Sequence, residues 1–168
     1  MIKTVRHFKR FFLPLILIVA SVIFAQESEK KYPDIDFNFF NGKKMSMDEL
    51  VSNGPIVMQF WAIWCAPCKK EMYYLDKIQE KYKNQGVNVI CVNTDNLKSM
   101  PKAKAYIRQK RYGLLIAEDP SSHIFNMLNA NVMPTTIVFD SEGQIVYRKE
   151  GYMFGDEKKV EAILKSIL

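Results

Sequence analysis

Ile56-Val57-Met58-Gln59-Phe60-Trp61-Ala62-Ile63-Trp64-Cys65-Ala66-Pro67-Cys68-Lys69-Lys70-Glu71 joins two patterns. Its first six residues, led in by Pro55, form an almost unbroken run of apolar and β-forming side chains. That run predicts a buried strand. From about Pro67 to Tyr82 the pattern changes to a helical one, with Met72, Leu75, Ile78 and Tyr82 forming a stripe at three- and four-residue spacing. Cys65 and Cys68 therefore stand where a strand ends and a long helix begins.

That position gives the pair its chemistry. Unpaired amides and the helix dipole at a helix start favour an anion, which lowers a thiol pKa and supplies a thiolate at Cys65. Cys68, three residues on, lies on the same face, so the two can form a short disulfide. Cys65 can attack a partner disulfide and Cys68 can then release the partner. Pro67 in the first turn loses no helical hydrogen bond. Two other readings stay open. In a zinc site, Cys91 and His123 would have to complete the ligand set, without the paired spacing such sites use. The bridge could also be purely structural. Thiol–disulfide chemistry is the favoured reading.

Outward from this junction the chain alternates. Ser46-Met47-Asp48-Glu49 has capping-box spacing and predicts a short helix to about Val51. Asn84-Gln85-Gly86 ends the long helix, and Val87 to Asn93 reads as a second strand. Pro101 suits the first turn of a helix running to about Arg111. Leu114 to Ala117 is a short strand, and Ser121 or Ser122 is the expected cap of a helix through Leu128. Thr135 to Asp140 and Gln144 to Arg148, joined through Ser141-Glu142-Gly143, read as a hairpin. Val160, Ile163, Leu164 and Ile167 mark a final amphipathic helix. The expected fold class is α/β, a central mixed β-sheet flanked by helices.

The chain has 168 residues, of which 48% are hydrophobic and 25% charged, so disorder and low-complexity architecture have little support and one domain is expected. A net charge of +6 would ordinarily raise nucleic acid or an anionic membrane as a partner. The excess sits mainly at the N-terminus, where Lys3, Arg6, Lys9 and Arg10 precede an apolar run from Phe11 to Ala25. This is the pattern of a signal peptide over residues 1–25, cleaved after Ala25, with an uncleaved anchor as the alternative. Residues 26–32 form a short polar linker and residues 33–168 the folded domain. The expected location is exported, periplasmic or in the cell envelope, with membrane contact only if the N-terminal segment is retained. Its removal lowers the basic count from 24 to 20 against 18 acidic residues, leaving +2. Nucleic acid is therefore not an expected partner.

Phe60-Trp61-Ala62-Ile63-Trp64-Cys65-Ala66-Pro67-Cys68 resembles the active-site segment of the thioredoxin superfamily, and the following Lys69-Lys70-Glu71 is similar to its TlpA/ResA branch. The likeness runs from about Pro33 to Leu168. It implies a thioredoxin-like fold, a Cys65–Cys68 redox-active disulfide, protein thiol or disulfide substrates and no cofactor or metal. It also implies a membrane thiol electron donor and reduction of envelope thiols such as those of apocytochrome c. Met133-Pro134-Thr135 is similar to the family's cis-proline segment, where substrate chains pair beside the dithiol, and Gly151 also fits the pattern. Trp64 is implied at the rim of the site, shielding the disulfide, while Trp61 is expected in the core. Where cytoplasmic thioredoxins carry a buried Asp, this chain has Gln59, which cannot take a proton from Cys68. Glu71 resembles the branch's glutamate that couples to the thiols; the alternative is that it complements the helix start or offsets Lys69 and Lys70.

Cys91 reads as core filler in a strand, and His123 as a surface residue. Lys102, Lys104, Lys110 and Arg111 read as a solvated helix face. Two rival functions are carried by the same architecture. A peroxiredoxin-like thiol peroxidase would need Thr and Arg around its cysteine, and no Arg is near Cys65. A copper-binding module would use the soft dithiol, commonly with wider Cys spacing and a late His, and no His follows His123.

Overall fold

The computed structural model describes residues 31–168; the segment read as a signal peptide or anchor, residues 1–25, lies outside the described residues, as does most of the linker. Ile56 to Trp61 is strand β3, six consecutive buried residues that belong to the middle of a sheet covered on both faces. The elements before it are β1 (Asp36–Phe39), β2 (Lys44–Ser46) and α1 (Met47–Ser52). After it come α2 (Ala66–Tyr82), β4 (Asn88–Asn93), α3 (Met100–Lys110), β5 (Leu115–Glu118) and α4 (His123–Met127). The chain ends with β6 (Thr135–Phe139), β7 (Ile145–Glu150) and α5 (Asp156–Ile167).

The seven strands lie in the order β2-β1-β5-β4-β3-β6-β7. β3 pairs parallel with β4 and β4 parallel with β5, while the other pairings are antiparallel, so the sheet is mixed as expected. Alternation along the strands divides the core. Ile56, Met58, Phe60, Ile90 and Val92 pack with Leu50 of α1 and Ile124 of α4. Val57, Trp61, Val89 and Cys91 pack with Met72, Leu75 and Ile78 of α2, Ala103 of α3 and Leu164 of α5. Trp61 and Cys91 are core residues, as read from the sequence.

Two local features differ from the sequence reading. β1 and β2 form an antiparallel hairpin absent from the sequence reading, although Phe37 and Phe39 alternate with exposed Asp36 and Asn38 as a half-buried strand should. The start of α4 is not capped by Ser121 or Ser122. Ser122 takes a left-handed conformation with no side-chain cap, and the buried Asp119 carboxylate accepts from the amides of His123 (2.7 Å) and Phe125 (3.0 Å) instead. A carboxylate with two oxygens satisfies two helix-start amides, which one hydroxyl cannot.

The capping box at Ser46 and Glu49 is present, with both hydrogen bonds made. Gly86 closes the turn after α2 at φ +80°, where a Cβ would collide with Asn53 O; glycine is required there on both counts.

Candidate functional site

Cys65 and Cys68 stand at the end of the sheet where β3 and β4 finish and β6 begins. Cys65 is the N-cap of α2, in an extended conformation, and the Cys68 amide donates to its Sγ at 3.3 Å. A helix-start amide thus points at the sulfur that would carry negative charge. The two cysteines form a disulfide with Cα atoms 5.3 Å apart. Cys65 keeps 3% of its surface exposed while Cys68 keeps none, which makes Cys65 the more accessible residue of the pair. Trp64 beside it is 70% exposed, at the rim where the resemblance puts it.

The loop entering the helix is held from two sides. The Ile63 amide donates to Asp95 Oδ2 at 2.7 Å, and Lys69 Nζ donates to Ile63 O at 2.9 Å while lying 5.5 Å from the Tyr106 ring centroid. Asp95 is buried, just beyond β4, and also accepts from Asn93 Nδ2 at 2.8 Å. The sequence reading missed Asp95. Its only signal was a polar Asn93-Thr94-Asp95 end on an otherwise apolar strand, and the partner is 32 residues away.

Glu71, one turn below the disulfide on α2, is 2% exposed. Its Oε2 accepts from Gln59 Nε2 at 2.8 Å and its Oε1 from the Thr136 hydroxyl at 2.8 Å. Gln59 and Thr136 are cross-strand partners on β3 and β6, so sheet register places both donors beneath the helix. Burial pushes the Glu71 carboxyl up from its ordinary 4.5 to about 7. The Gln59 and Thr136 bonds act the other way, and the like charges of Asp156 and Glu157 add to the rise. Its hydrogen bonds run to Gln59 and Thr136, and no ion pair joins it to Lys69 or Lys70 among the described residues. The reading of Glu71 as an offset to those lysines is therefore not what the geometry shows. Gln59 reaches Cys68 as well: its Nε2 donates to Cys68 O at 3.1 Å.

Pro134 is buried and follows a cis peptide bond, the isomer the resemblance implied. Gly151, at φ +71°, donates its amide to Pro134 O at 2.7 Å and so joins the end of β7 to this loop. Met133 packs against the cluster that contains both cysteines, and its sulfur accepts from the Thr94 hydroxyl at 3.2 Å. Five exposed apolar side chains belong to loops at this same end of the sheet: Trp64, Leu97, Val132, Met153 and Phe154. Such side chains beside a reactive centre suit contact with another polypeptide.

Cys91 lies directly opposite Gln59 in the β3–β4 register. It is fully buried, and burial, with Glu71 and Asp76 adding to it, pushes its thiol well above the ordinary range. It is a free thiol held protonated. His123 is exposed and far along the chain from any ligand set, and no group of three or more metal-binding side chains occurs among the described residues. Lys104 on the α3 face pairs with Glu118 at 3.0 Å.

The chain is similar to known proteins. The Redoxin family model matches residues 27–164. A thiol-disulfide oxidoreductase ResA from Halalkalibacterium halodurans is 31% identical over 175 residues, covering 95% of this chain and 96% of that protein. ResA from Bacillus anthracis is 29% identical over 140 residues, covering 82% of this chain and 77% of that protein. Among solved structures, a putative thiol:disulfide interchange protein DsbE from Chlorobium tepidum superposes with a TM-score of 0.75 at 25% identity, over 83% of this chain and 96% of that one.

Proposed function

We propose, because the chain belongs to the Redoxin family and is a TlpA/ResA-like member of the thioredoxin superfamily, that it works outside the cytoplasm as a reductase of protein disulfides. It is a thioredoxin-like oxidoreductase, and its chemistry is thiol–disulfide exchange with protein thiols. The direction, the compartment and the substrate are the proposal.

In the reducing direction the Cys65 thiolate attacks a substrate disulfide. One substrate sulfur leaves as a thiolate and takes a proton, and a mixed disulfide joins the substrate to Cys65. Cys68 then loses its proton and attacks Cys65 Sγ, which releases the second substrate thiol and leaves the Cys65–Cys68 disulfide. A membrane dithiol carrier returns two electrons and two protons. Glu71 supplies the proton acceptor that Gln59 cannot, since a carboxyl titrating near 7 exchanges protons readily at neutral pH. The substrate chain docks along the Met133-Pro134 loop, with Trp64, Val132 and Phe154 around it. Cysteines of apocytochrome c or similar envelope thiols are the proposed substrates.

The observation that carries this reading is the Cys65–Cys68 disulfide at the start of α2 with a buried, protonatable carboxylate one turn below it. Insulin reduction tests it. The wild-type protein should reduce insulin with dithiothreitol as the electron source, Cys65→Ser should abolish turnover, and Cys68→Ser should accumulate a covalent substrate adduct on Cys65. Turnover that survives loss of Cys65 would remove the proposal.

A further inference from the structure

Gln59 is fully buried, and its amide is satisfied on one side only. The two hydrogens of Nε2 have two acceptors, Cys68 O at 3.1 Å and Glu71 Oε2 at 2.8 Å. A backbone carbonyl can only accept, so the nitrogen must face Cys68 O and the amide oxygen is turned away from both acceptors. That oxygen, Oε1, is buried and has no partner. Its cross-strand neighbours do not supply one: the Thr136 hydroxyl is engaged with Glu71 Oε1, and Cys91 makes no bond to it. Unpaired buried carbonyl oxygens are uncommon and ask for an explanation.

The state of Cys68 provides one. In the disulfide its sulfur has no hydrogen to give. Reduction by an external dithiol breaks the S–S bond, places two electrons and two protons on the pair, and turns the reductant into a disulfide. Cys68 then carries a thiol hydrogen in a position with no exposed surface. We infer that Gln59 is a positioning residue whose Oε1 receives this hydrogen in the reduced enzyme, while its Nε2 bridges the Cys68 carbonyl and the Glu71 carboxylate. Gln59 would thereby favour the dithiol over the disulfide and connect the resolving sulfur to the group that takes its proton. The inference rests on the reading of Cys65–Cys68 as a working redox couple.

The chain contains three cysteines, so in the full chain carrying Cys65→Ala and Cys91→Ala, Cys68 is the only thiol. Its S–H stretching band reports directly on an acceptor. Adding Gln59→Leu should move the band to higher frequency, whereas adding Thr136→Val, which removes a donor to Glu71 but nothing from Cys68, should leave it in place. In the otherwise wild-type protein, Gln59→Leu should shift the equilibrium with glutathione about tenfold toward the disulfide, equivalent to about 30 mV. A measurement without substitution covers the case in which Gln59→Leu fails to fold: the Gln59 side-chain carbonyl ¹³C resonance should move when wild-type protein is reduced with dithiothreitol. An S–H band indifferent to Gln59, or a carbonyl resonance indifferent to reduction, overturns the inference. Failure of the wild-type protein to reduce insulin would instead overturn the functional reading beneath it.

Discussion

Glu71 shows what one side chain costs and does. Its carboxyl binds a proton more tightly in the folded chain than in the unfolded one, at about 7 against an ordinary 4.5. Folding therefore favours the neutral form. Below about pH 4.5 the group is protonated in both states and burial carries no charge penalty. As pH rises through the interval to about 7 the penalty grows, reaching about 3 kcal/mol above it. Glu71→Gln removes the charge and keeps a side chain able to bond Gln59. Urea titrations should find the variant more stable than wild type by up to about 3 kcal/mol at pH 8, with the gap closing toward pH 4.5. A gap that does not vary with pH would contradict the raised pKa. The same substitution should slow resolution of the mixed disulfide and flatten its pH dependence, measured by stopped-flow with a disulfide peptide; unchanged kinetics from pH 5 to 9 would take Glu71 out of the mechanism. The sequence pointed to Glu71 through the residues around it. Its donors were not legible, because Thr136 lies 65 positions away and arrives only through the β3–β6 register.

At the scale of elements, α2 carries the site because its own signals agree: an apolar stripe, a proline in the first turn, and a cysteine at the N-cap. Those signals are local, and the sequence showed β3, α2 and the β6–β7 hairpin for that reason. The two misplaced features depend on tertiary contact. β1 and β2 are short strands toward one edge, β2 stabilised by pairing with β1 and β1 by pairing with β5 as well. α4 is too short to declare its own start, and its cap comes from Asp119, before the turn, rather than from the adjacent serines. Asp119→Ala should accordingly destabilise the fold by about 1–2 kcal/mol in urea unfolding, while Ser122→Ala should stay within about 0.5 kcal/mol. Equal effects would restore the serine as cap. Asp95 works in the same manner on the loop before the cysteines: it bonds the Ile63 amide, so its replacement loosens the approach to Cys65.

At the scale of the whole molecule, charge is spread unevenly along the chain. The proposed signal segment, residues 1–25, holds most of the basic excess, and its removal would leave 143 residues with a net charge of +2. Among the described residues no helix is long and apolar enough to cross a membrane. Mass spectrometry of the protein recovered from an exporting host should find Gln26 at its N-terminus; an intact N-terminus in the membrane fraction would replace the signal peptide with an anchor. Within the described residues, Trp64, Leu97, Val132, Met153 and Phe154 occur at the disulfide end of the sheet, where a polypeptide substrate would be engaged. The direction of electron flow turns on a small energy, because about 30 mV changes the equilibrium tenfold. The reduction potential of the Cys65–Cys68 couple, read against glutathione in the full chain, therefore tests the proposed reductase most directly. A value near that of thioredoxin, about −270 mV, is the predicted result, and a value near that of DsbA, about −120 mV, would make the protein an oxidant and contradict the account.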